Sequence, residues 1–221
     1  MTYNILNGAE AGRADAETRL PRVLEVIREV NPDILGIQEA NRWHANGEAI
    51  AREVAKDLGM NYALGLSCDD DFHVALFSKF EIQKVYPSCF LDKTSYAHGA
   101  LHAELVTSSG RVLHVYVVHL THGHEEVPTL IEEMAPYLEQ DTILMGDMNF
   151  LPYSAYATKL TNAGWVFPMV MDWNIIDHVW TSPSLAPSTW PELTLPSELT
   201  YGASDHNPFI VRIGLYPPET K

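Results

Sequence analysis

The sequence predicts an α/β fold, because strand-like apolar runs alternate along it with segments of helical periodicity. In residues 143–150, three apolar residues run into a glycine, which is typical of a strand buried on both faces. Apolar residues recur at steps of three and four within 16–30, which indicates a helix that Asn31-Pro32 ends. The chain has 221 residues and no evident linker or internal repeat, so we expect one domain over 1–221.

The other elements are predicted from periodicity, turn residues and helix caps. Pro136 should shorten a helix over 125–139, and Ser154 can cap a helix that runs to about residue 163. Four prolines make 182–203 a long loop with at most one short strand. The remaining predictions are strand 33–39, helix 49–58, strand 73–78, hairpin 99–120, strand 174–180 and strand 209–213.

Composition and charge restrict the classes of function. The net charge of −15 argues against tight, salt-driven binding of nucleic acid, although a nuclease can still recruit its substrate through a metal ion. Cys68 and Cys89 have no metal-type spacing and suggest no disulfide framework. The sequence shows no membrane span and no signal peptide, so a cytoplasmic location is the default expectation, although a trimmed leader would leave no trace.

Polar residues lie where several predicted strands end. Asp147 and Asn149 are two apart, so they should share a face at the end of the central strand, unless they form only an Asx-type turn. Glu39 ends a second apolar strand, where a buried carboxylate needs a partner or a metal. Asn4 ends a first strand, although Asn7-Gly8 nearby is equally consistent with a simple turn.

Two histidines and two more aspartates have similar positions. His119 ends the return strand of the hairpin, where a histidine on its own is usually structural. Asp177 lies inside an apolar run, where its burial is costly unless it serves a partner such as an imidazole. Asp205 and His206 precede the last predicted strand.

Two further clusters of polar residues are better explained as loops than as metal sites. Residues 69–71 are three consecutive aspartates that lack the spaced ligands of an EF-hand, so a solvated loop is favoured over a calcium site. Residues 122–126 contain two histidines and two glutamates, but without a distant fourth ligand a polar loop is favoured over a zinc site.

If the predicted strands lie side by side, the strand-end groups converge at one rim. Hard oxygen ligands without thiolates fit Mg²⁺, with Mn²⁺ as the alternative, and not a structural zinc. Carboxylates, a metal and histidines are the equipment for hydrolysing a phosphoester by in-line attack of water. A dehydrogenase and a P-loop enzyme are disfavoured, since the sequence has neither glycine-rich fingerprint.

Six short motifs in one order resemble the endonuclease/exonuclease/phosphatase superfamily, whose members have the deoxyribonuclease-I-like fold. Each motif alone is weak, but together they span almost the whole chain. The resemblance implies a four-layer α/β/β/α sandwich, with two mixed sheets packed face to face and helices outside. The motifs are Tyr3-Asn4-Ile5, Pro32-Asp33-Ile34-Leu35-Gly36-Ile37-Gln38-Glu39, Val118-His119-Leu120, Gly146-Asp147-Met148-Asn149, Ile176-Asp177-His178-Val179 and Ser204-Asp205-His206-Asn207-Pro208.

The resemblance also implies a role for each strand-end residue. Glu39, helped by Asn4, would hold the metal, with Asp205 beside it as a ligand or through water. Asp147 would orient or activate the attacking water, and Asn149 would position the phosphate. His206, oriented by Asp177, would stabilise the pentacoordinate phosphorus, and His119 matches a second histidine of the nuclease and sphingomyelinase branches.

The sequence departs from the family at two places. His98 stands near a position where the family often has an arginine, and the inositol-phosphatase signature is missing at Asp177. We therefore expect a Mg²⁺-dependent phosphodiesterase acting on nucleic acid, a phospholipid head group or a small phosphodiester, with no obligate protein partner evident. The alternatives are a phosphomonoesterase of the same fold and a binding module that kept the fold and lost catalysis.

Overall fold

The structure is a computed structural model that describes residues 1–10, 19–67, 71–89, 98–123, 125–168, 175–188 and 195–215. The described residues contain nine strands and five α-helices. The strands are β1 Thr2–Asn4, β2 Ile34–Gln38, β3 Asn61–Gly65, β4 Val74–Ser78, β5 Glu81–Cys89, β6 Gly99–Val106, β7 Val112–His119, β8 Thr142–Asp147 and β9 Asp177–Thr181. The α-helices are α1 Leu20–Val30, α2 Ala45–Leu58, α3 Val127–Met134, α4 Ala155–Asn162 and α5 Ser197–Thr200.

The strands form two mixed sheets. The first has four strands in the order β1-β2-β4-β3, and the second has five in the order β5-β6-β7-β8-β9. β1 is parallel to β2, and β7 is parallel to β8, while the other pairs are antiparallel. Four of the residues predicted for the site, Asn4, Glu39, His119 and Asp147, lie at or directly after the carboxyl ends of these two parallel pairs.

Three apolar cores separate four layers, which confirms the predicted α/β/β/α sandwich. α1 and α2 pack on the outer face of the first sheet. α3 and α4 pack on the outer face of the second sheet. The third core lies between the two sheets and contains Leu76 of one sheet and Val117 and Met145 of the other. Successive residues of β8 alternate between the cores, since Leu144 faces the helices and Met145 faces the other sheet.

Gly36 lets the sheets approach closely. A Cβ atom added at this residue would lie 2.8 Å from Sδ of Met145 and 3.1 Å from Cγ1 of Val117. A side chain at position 36 would therefore require the side chains of Met145 and Val117 in the second sheet to shift. Since β2 leads directly into Glu39, this contact also sets how near Glu39 comes to the polar ends of β7 and β8.

Several boundaries differ from the predicted ones for identifiable reasons. The sequence pattern did not predict β3 and β5, each of which lies at one edge of its sheet, and β5 mixes charged with apolar residues. The predicted last strand is reduced to a bridge between Phe209 and Thr2, because β1 is only three residues long. The 182–203 loop instead contains a 3₁₀ helix, Pro183–Ser188, and α5, and its residues 189–194 lie outside the described residues.

The predicted helices are largely confirmed. α2 begins at Ala45, but Asn46, Gly47 and Glu48 have φ of 51°, 63° and 64°, so its regular part starts at the predicted residue 49. Ser154 caps α4 by accepting a 3.1 Å hydrogen bond from the Ala157 N–H. Pro136 lies in a 3₁₀ turn that follows α3, because proline has no N–H to donate inside an α-helix. Within the described ranges, no helix combines the length and apolar character that a membrane span needs.

Candidate active site

Four polar side chains from both sheets point into the space between the sheets at one end. Asp147 shares its strand face with Met145, His119 with Val117, and Asp177 with Val179, and these three apolar partners belong to the inter-sheet core. Asn4 lies on the opposite face of β1 from Tyr3, which packs against the helices. All four polar residues are buried. The alternation of strand side chains therefore brings together residues that are distant in sequence.

Backbone pairing sets the relative positions of the second-sheet residues. In the parallel pair β7–β8, His119 lies opposite Asp147. In the antiparallel pair β8–β9, Asp147 lies opposite Asp177. Asp147 thus occupies the middle of three adjacent strand ends, with an imidazole on one side and a carboxylate on the other.

Gly146 allows the close packing that places Asp147. Its φ is 154°, and a Cβ atom added there would lie 1.9 Å from the carbonyl oxygen of Val118. No L side chain fits at that distance. The glycine before Asp147 is therefore required by the approach of β7 to β8.

Asn4 joins the carboxylates of Glu39 and Asp147. Its Nδ2 donates to Oε1 of Glu39 at 3.1 Å and to Oδ2 of Asp147 at 3.0 Å. Its Oδ1 accepts from the Leu6 N–H at 3.0 Å. In this orientation the NH₂ group of Asn4 faces the two carboxylates and holds them in place. Its amide oxygen faces the Leu6 N–H and is not turned toward a metal.

Glu39 has an unusual backbone conformation, with φ of 57° directly after β2. Its Oε2 accepts a 2.7 Å hydrogen bond from the Asn7 N–H. Left-handed backbone at a residue other than glycine costs free energy and is often found at functional sites. The turn directs the half-buried carboxylate of Glu39 toward Asn4 and the end of β8.

Asn149 lies in a turn that also fixes Asp147. The Asn149 N–H donates to Oδ1 of Asp147 at 2.9 Å, and the φ of Asn149 is 54°. Its Nδ2 donates to the carbonyl oxygen of Leu120 at 2.7 Å. The Asx-type turn considered from the sequence is therefore present, and it orients Asp147 as well as ending the strand.

Asp177 and His206 form the tightest polar pair of the site. Nδ1 of His206 lies 2.6 Å from Oδ2 of Asp177. Burial would lower the pKa of His206, but the hydrogen bond and charge of Asp177, together with the charges of Asp147 and Asp205, raise this pKa to about 9. Burial raises the pKa of Asp177 to about 6, although the His206 hydrogen bond opposes this rise. At neutral pH the pair is an imidazolium and a carboxylate.

Asp147 faces both the paired imidazolium and Asn4. Nε2 of His206 lies 3.9 Å from Oδ2 of Asp147. Burial raises the pKa of Asp147 above its ordinary value, while the charge of His206 and the hydrogen bonds from Asn4 and Asn149 oppose the rise. Such a carboxylate is a better proton acceptor than an exposed aspartate.

His119 is a neutral neighbour of Asp147. Its Nε2 lies 3.6 Å from Oδ2 of Asp147, and burial together with the nearby His98 and His206 holds the pKa of His119 well below its usual range. Its ring contacts the half-buried His98, with centroids 4.4 Å apart, and Phe72, at 5.7 Å. The sequence reading noted His98 only as a departure from the family and did not single out Phe72. Neither residue follows a strand-end pattern, so only the fold reveals their positions.

Asp205 is exposed at the edge of this group. The neighbouring Ser204 Oγ donates to the Asn4 carbonyl oxygen at 2.7 Å and accepts from the His206 N–H at 3.3 Å. Ser204 therefore attaches the segment of Asp205 and His206 to the end of β1. The sequence reading did not assign Ser204 a role, because its contacts span 200 residues.

The donor set suits a hard divalent cation. The carboxylates of Glu39, Asp147 and Asp205 supply oxygens, and the described site contains no thiolate. Asp147, Asp177 and His206 form one group of candidate ligands, whose ligand atoms lie within 4.8 Å of one another. We interpret that group as a hydrogen-bonded set and not as a ligand cage, because Nδ1 of His206 is engaged by Asp177.

A second candidate group, formed by His44, Asp71 and His73, does not suit a metal. The Ser67 N–H donates to Nδ1 of His73 at 2.9 Å. The proton of a neutral His73 ring then belongs on Nε2, which faces Asp71 at 3.8 Å. A histidine that binds a metal through one nitrogen carries its proton on the other, which is the opposite arrangement. Of the acidic and histidine loops of the sequence, residues 69–70 and His124 lie outside the described residues.

The polar cleft is distinct from an apolar cavity in the described part of the chain. That cavity has a volume of about 460 Å³ and lies at the other end of the sheets, lined among others by Ile34, Leu113 and Ile143. These residues begin the strands whose carboxyl ends carry the polar groups. The volume of this cavity alone would therefore have pointed to the opposite end of the sheets from the polar cleft.

Comparisons with known proteins agree with this geometry. In a search of solved structures, the human Nocturnin catalytic domain with bound sulfate has a TM-score of 0.71 and 19% identity, covering 92% of this chain and 89% of that one. An endonuclease/exonuclease/phosphatase from Beutenbergia cavernae has a TM-score of 0.69 and 16% identity, covering 93% and 68%. ANGEL2, a 2′,3′-cyclic phosphatase, has a TM-score of 0.61 and 18% identity, covering 79% and 59%.

At these identities the likeness to solved structures establishes the fold. A search of curated proteins gave no match. The model of the Endonuclease/Exonuclease/phosphatase family matches residues 1–206, a span that contains every residue of the polar cleft. The chain therefore belongs to the Endonuclease/Exonuclease/phosphatase family.

Proposed function

We propose that this chain is a divalent-metal-dependent phosphodiesterase, with residues 1–221 forming one catalytic domain. The observation that carries the proposal is the position of Asp147. Its carboxylate shares the Asn4 amide with Glu39 and lies 3.9 Å from an imidazolium that a second carboxylate holds. A proton acceptor, a candidate metal ligand and a fixed positive charge thus border one small space.

Asp147 acts on the attacking water in this proposal. It accepts a proton from water while the oxygen of that water forms a bond to phosphorus. The bond between phosphorus and the leaving alkoxide oxygen then breaks, and the alkoxide takes up a proton from solvent. The hydrogen bonds from Asn4 and from the Asn149 N–H aim the carboxylate at the water, and Asn149 also borders the phosphate.

His206 stabilises the negative charge that grows on the phosphoryl oxygens. Asp177 keeps its ring protonated and fixes its orientation through Nδ1, so that Nε2 faces the cleft. His119 places a neutral imidazole beside the carboxylate of Asp147. Because this ring is uncharged, it adds no second positive charge next to that of His206. Without Asp177, the ring of His206 loses the carboxylate that keeps it protonated. Without His206, the buried carboxylate of Asp177 loses the cation that balances its charge.

Glu39 and Asp205 are the proposed metal ligands, with Asn4 holding Glu39 through its NH₂ group. When bound, Mg²⁺ or Mn²⁺ would supply Lewis-acid polarisation of the phosphoester. The hard oxygen donors support these ions over zinc.

Support for a diester substrate comes from the endonuclease and exonuclease members of the family and from one similar structure, that of the 2′,3′-cyclic phosphatase ANGEL2. The substrate class remains nucleic acid, a phospholipid head group or a small phosphodiester. The net charge of −15 favours the smaller or less charged members of that set.

The first prediction concerns Asp147→Asn, which keeps the shape of the side chain and removes its basicity. We expect turnover of bis(p-nitrophenyl) phosphate with Mg²⁺ to fall on the order of a hundredfold or more, with the fold retained by circular dichroism. Asp57→Asn, on the surface of α2, is the matched control and should keep full activity. Wild-type turnover in Asp147→Asn would contradict the role of this residue.

A substrate panel tests the class of reaction. It compares the same diester with p-nitrophenyl phosphate, single- and double-stranded DNA, RNA, sphingomyelin and inositol phosphates, each with Mg²⁺ and with a chelator. Preference for the monoester would identify a phosphomonoesterase of the same fold. A melting temperature that rises with Mg²⁺, with no substrate hydrolysed, would identify a binding module.

A further inference from the structure

Arg19 binds backbone carbonyl oxygens from three separate places in the chain. Nε donates to Glu10 O at 3.1 Å, and Nη2 donates to Leu6 O at 2.5 Å. Nη1 donates to Ile5 O at 3.1 Å and to Ala203 O at 2.8 Å. The guanidinium precedes α1 and joins the segment that follows β1 to the segment that precedes His206.

The first of these segments has a demanding backbone conformation. Residues 6–9 have φ of 54°, 51°, 69° and 56°, so four successive residues lie in the left-handed region. Only one of them, Gly8, adopts that region without strain. Hydrogen bonds from Arg19 to the carbonyls of Ile5 and Leu6 stabilise this conformation at its start.

That conformation positions Glu39. The Asn7 N–H donates to Oε2 of Glu39 at 2.7 Å, and the Gly8 N–H donates to the Glu39 carbonyl oxygen at 2.6 Å. If residues 6–9 relaxed, both donors would move away. The Glu39 carboxylate proposed to bind the metal would then lose the hydrogen bond from Asn7 and keep the one from Asn4.

The second segment positions His206. Ala203, whose carbonyl oxygen Arg19 binds, precedes Ser204, and Ser204 Oγ accepts from the His206 N–H at 3.3 Å. Ser204 Oγ also donates to the Asn4 carbonyl oxygen at 2.7 Å. Arg19 therefore connects the two sides of the cleft through one rigid planar group.

We propose that Arg19 is a positioning residue that fixes Glu39, on the metal side of the cleft, relative to His206, on the phosphate side. The proposal rests on the function proposed above for those two residues. A planar guanidinium presents its donors in a fixed fork, whereas a lysine ammonium is a single point charge on a flexible stem. Lysine at position 19 keeps the charge but cannot reach all of these carbonyls at once.

The test compares Arg19→Lys, Arg19→Ala and the control Arg28→Ala, which removes a surface ion pair between α1 and Asp57. The first readout is Mn²⁺ binding by calorimetry, without substrate. We expect both Arg19 variants to bind Mn²⁺ about tenfold more weakly, since loss of groups that orient a metal ligand has effects of this size. Arg28→Ala should bind as wild type does.

The second readout is the downfield proton resonance of the His206 imidazole in its hydrogen bond to Asp177. We expect it to broaden or vanish in both Arg19 variants and to persist in Arg28→Ala. Turnover of bis(p-nitrophenyl) phosphate should fall about tenfold or more with little change in KM, because substrate contacts are kept. Added guanidinium ion should restore part of the Arg19→Ala activity, and equimolar urea should not.

An Arg19→Lys protein with wild-type Mn²⁺ affinity, imidazole resonance and turnover would overturn the proposal. If Arg19→Ala fails to fold, Arg19→Lys decides the question. If the wild-type protein hydrolyses no phosphoester, the proposed function fails. Mn²⁺ affinity and the imidazole resonance still decide whether Arg19 positions the two groups.

Discussion

His206 and Asp177 show how a residue pair acquires chemistry that neither residue has alone. An isolated histidine is mostly neutral at physiological pH, and a buried aspartate is costly. At 2.6 Å each favours the charged form of the other, so the pKa of His206 rises to about 9 even though its burial opposes the rise. The imidazolium therefore persists through the neutral range and is lost only as the pH rises through about 9.

Asp177→Asn tests this pairing at the residue scale. Asparagine removes the charge that most strongly opposes the effect of burial, so the pKa of His206 falls from about 9 toward its ordinary value, although the charges of Asp147 and Asp205 still raise it. The basic limb of the profile of kcat/KM against pH should move from about pH 9 toward neutral. At about pH 8, kcat/KM should fall at least about tenfold. A basic limb that stays in place would show that another group sets it.

At the level of secondary-structure elements, the candidate site is built from residues at the ends of strands. β8 brings Asp147 beside both His119 and Asp177, because its register with β7 and β9 fixes these neighbours. The apolar run into Gly146 identified this strand from sequence. β3 and β5, in contrast, mix polar with apolar side chains, so the local pattern did not identify them, although each pairs with the strand that follows it in sequence.

Gly146→Ala should destabilise the element that carries Asp147. The new Cβ would meet the Val118 carbonyl oxygen at 1.9 Å, so β7 and β8 must separate. We expect a loss of about 3 kcal/mol or more in the free energy of unfolding, measured by urea denaturation. Gly110→Ala is the matched control, since its φ is 79° but no atom lies within 4 Å of the added Cβ. Equal losses in the two variants would show that close strand packing is not the cause.

The acidic charge acts at the scale of the whole molecule. With 29 acidic and 14 basic residues, the protein repels polyanions over a distance that added salt shortens. This long-range effect is distinct from the local positive charge of His206.

Salt should therefore affect substrates according to their charge. At a fixed concentration of free Mg²⁺, kcat/KM on single-stranded DNA should rise about twofold or more as NaCl increases from about 25 to about 200 mM. The value for bis(p-nitrophenyl) phosphate should change little. A steep fall with salt on DNA would indicate a basic binding surface that dominates the net charge.

By itself the sequence determined the fold class, the main helices and the strand ends that bear Glu39, His119 and Asp147. These features depend on local periodicity and on polar residues that directly follow apolar runs. Tertiary structure alone decided the orientation of the Asn4 amide, the contacts of Arg19, and the 2.6 Å distance within the Asp177–His206 pair that the resemblance implied. Each of these joins atoms from segments far apart in the chain. Their geometry follows from strand register and sheet packing, which no local pattern of residues encodes.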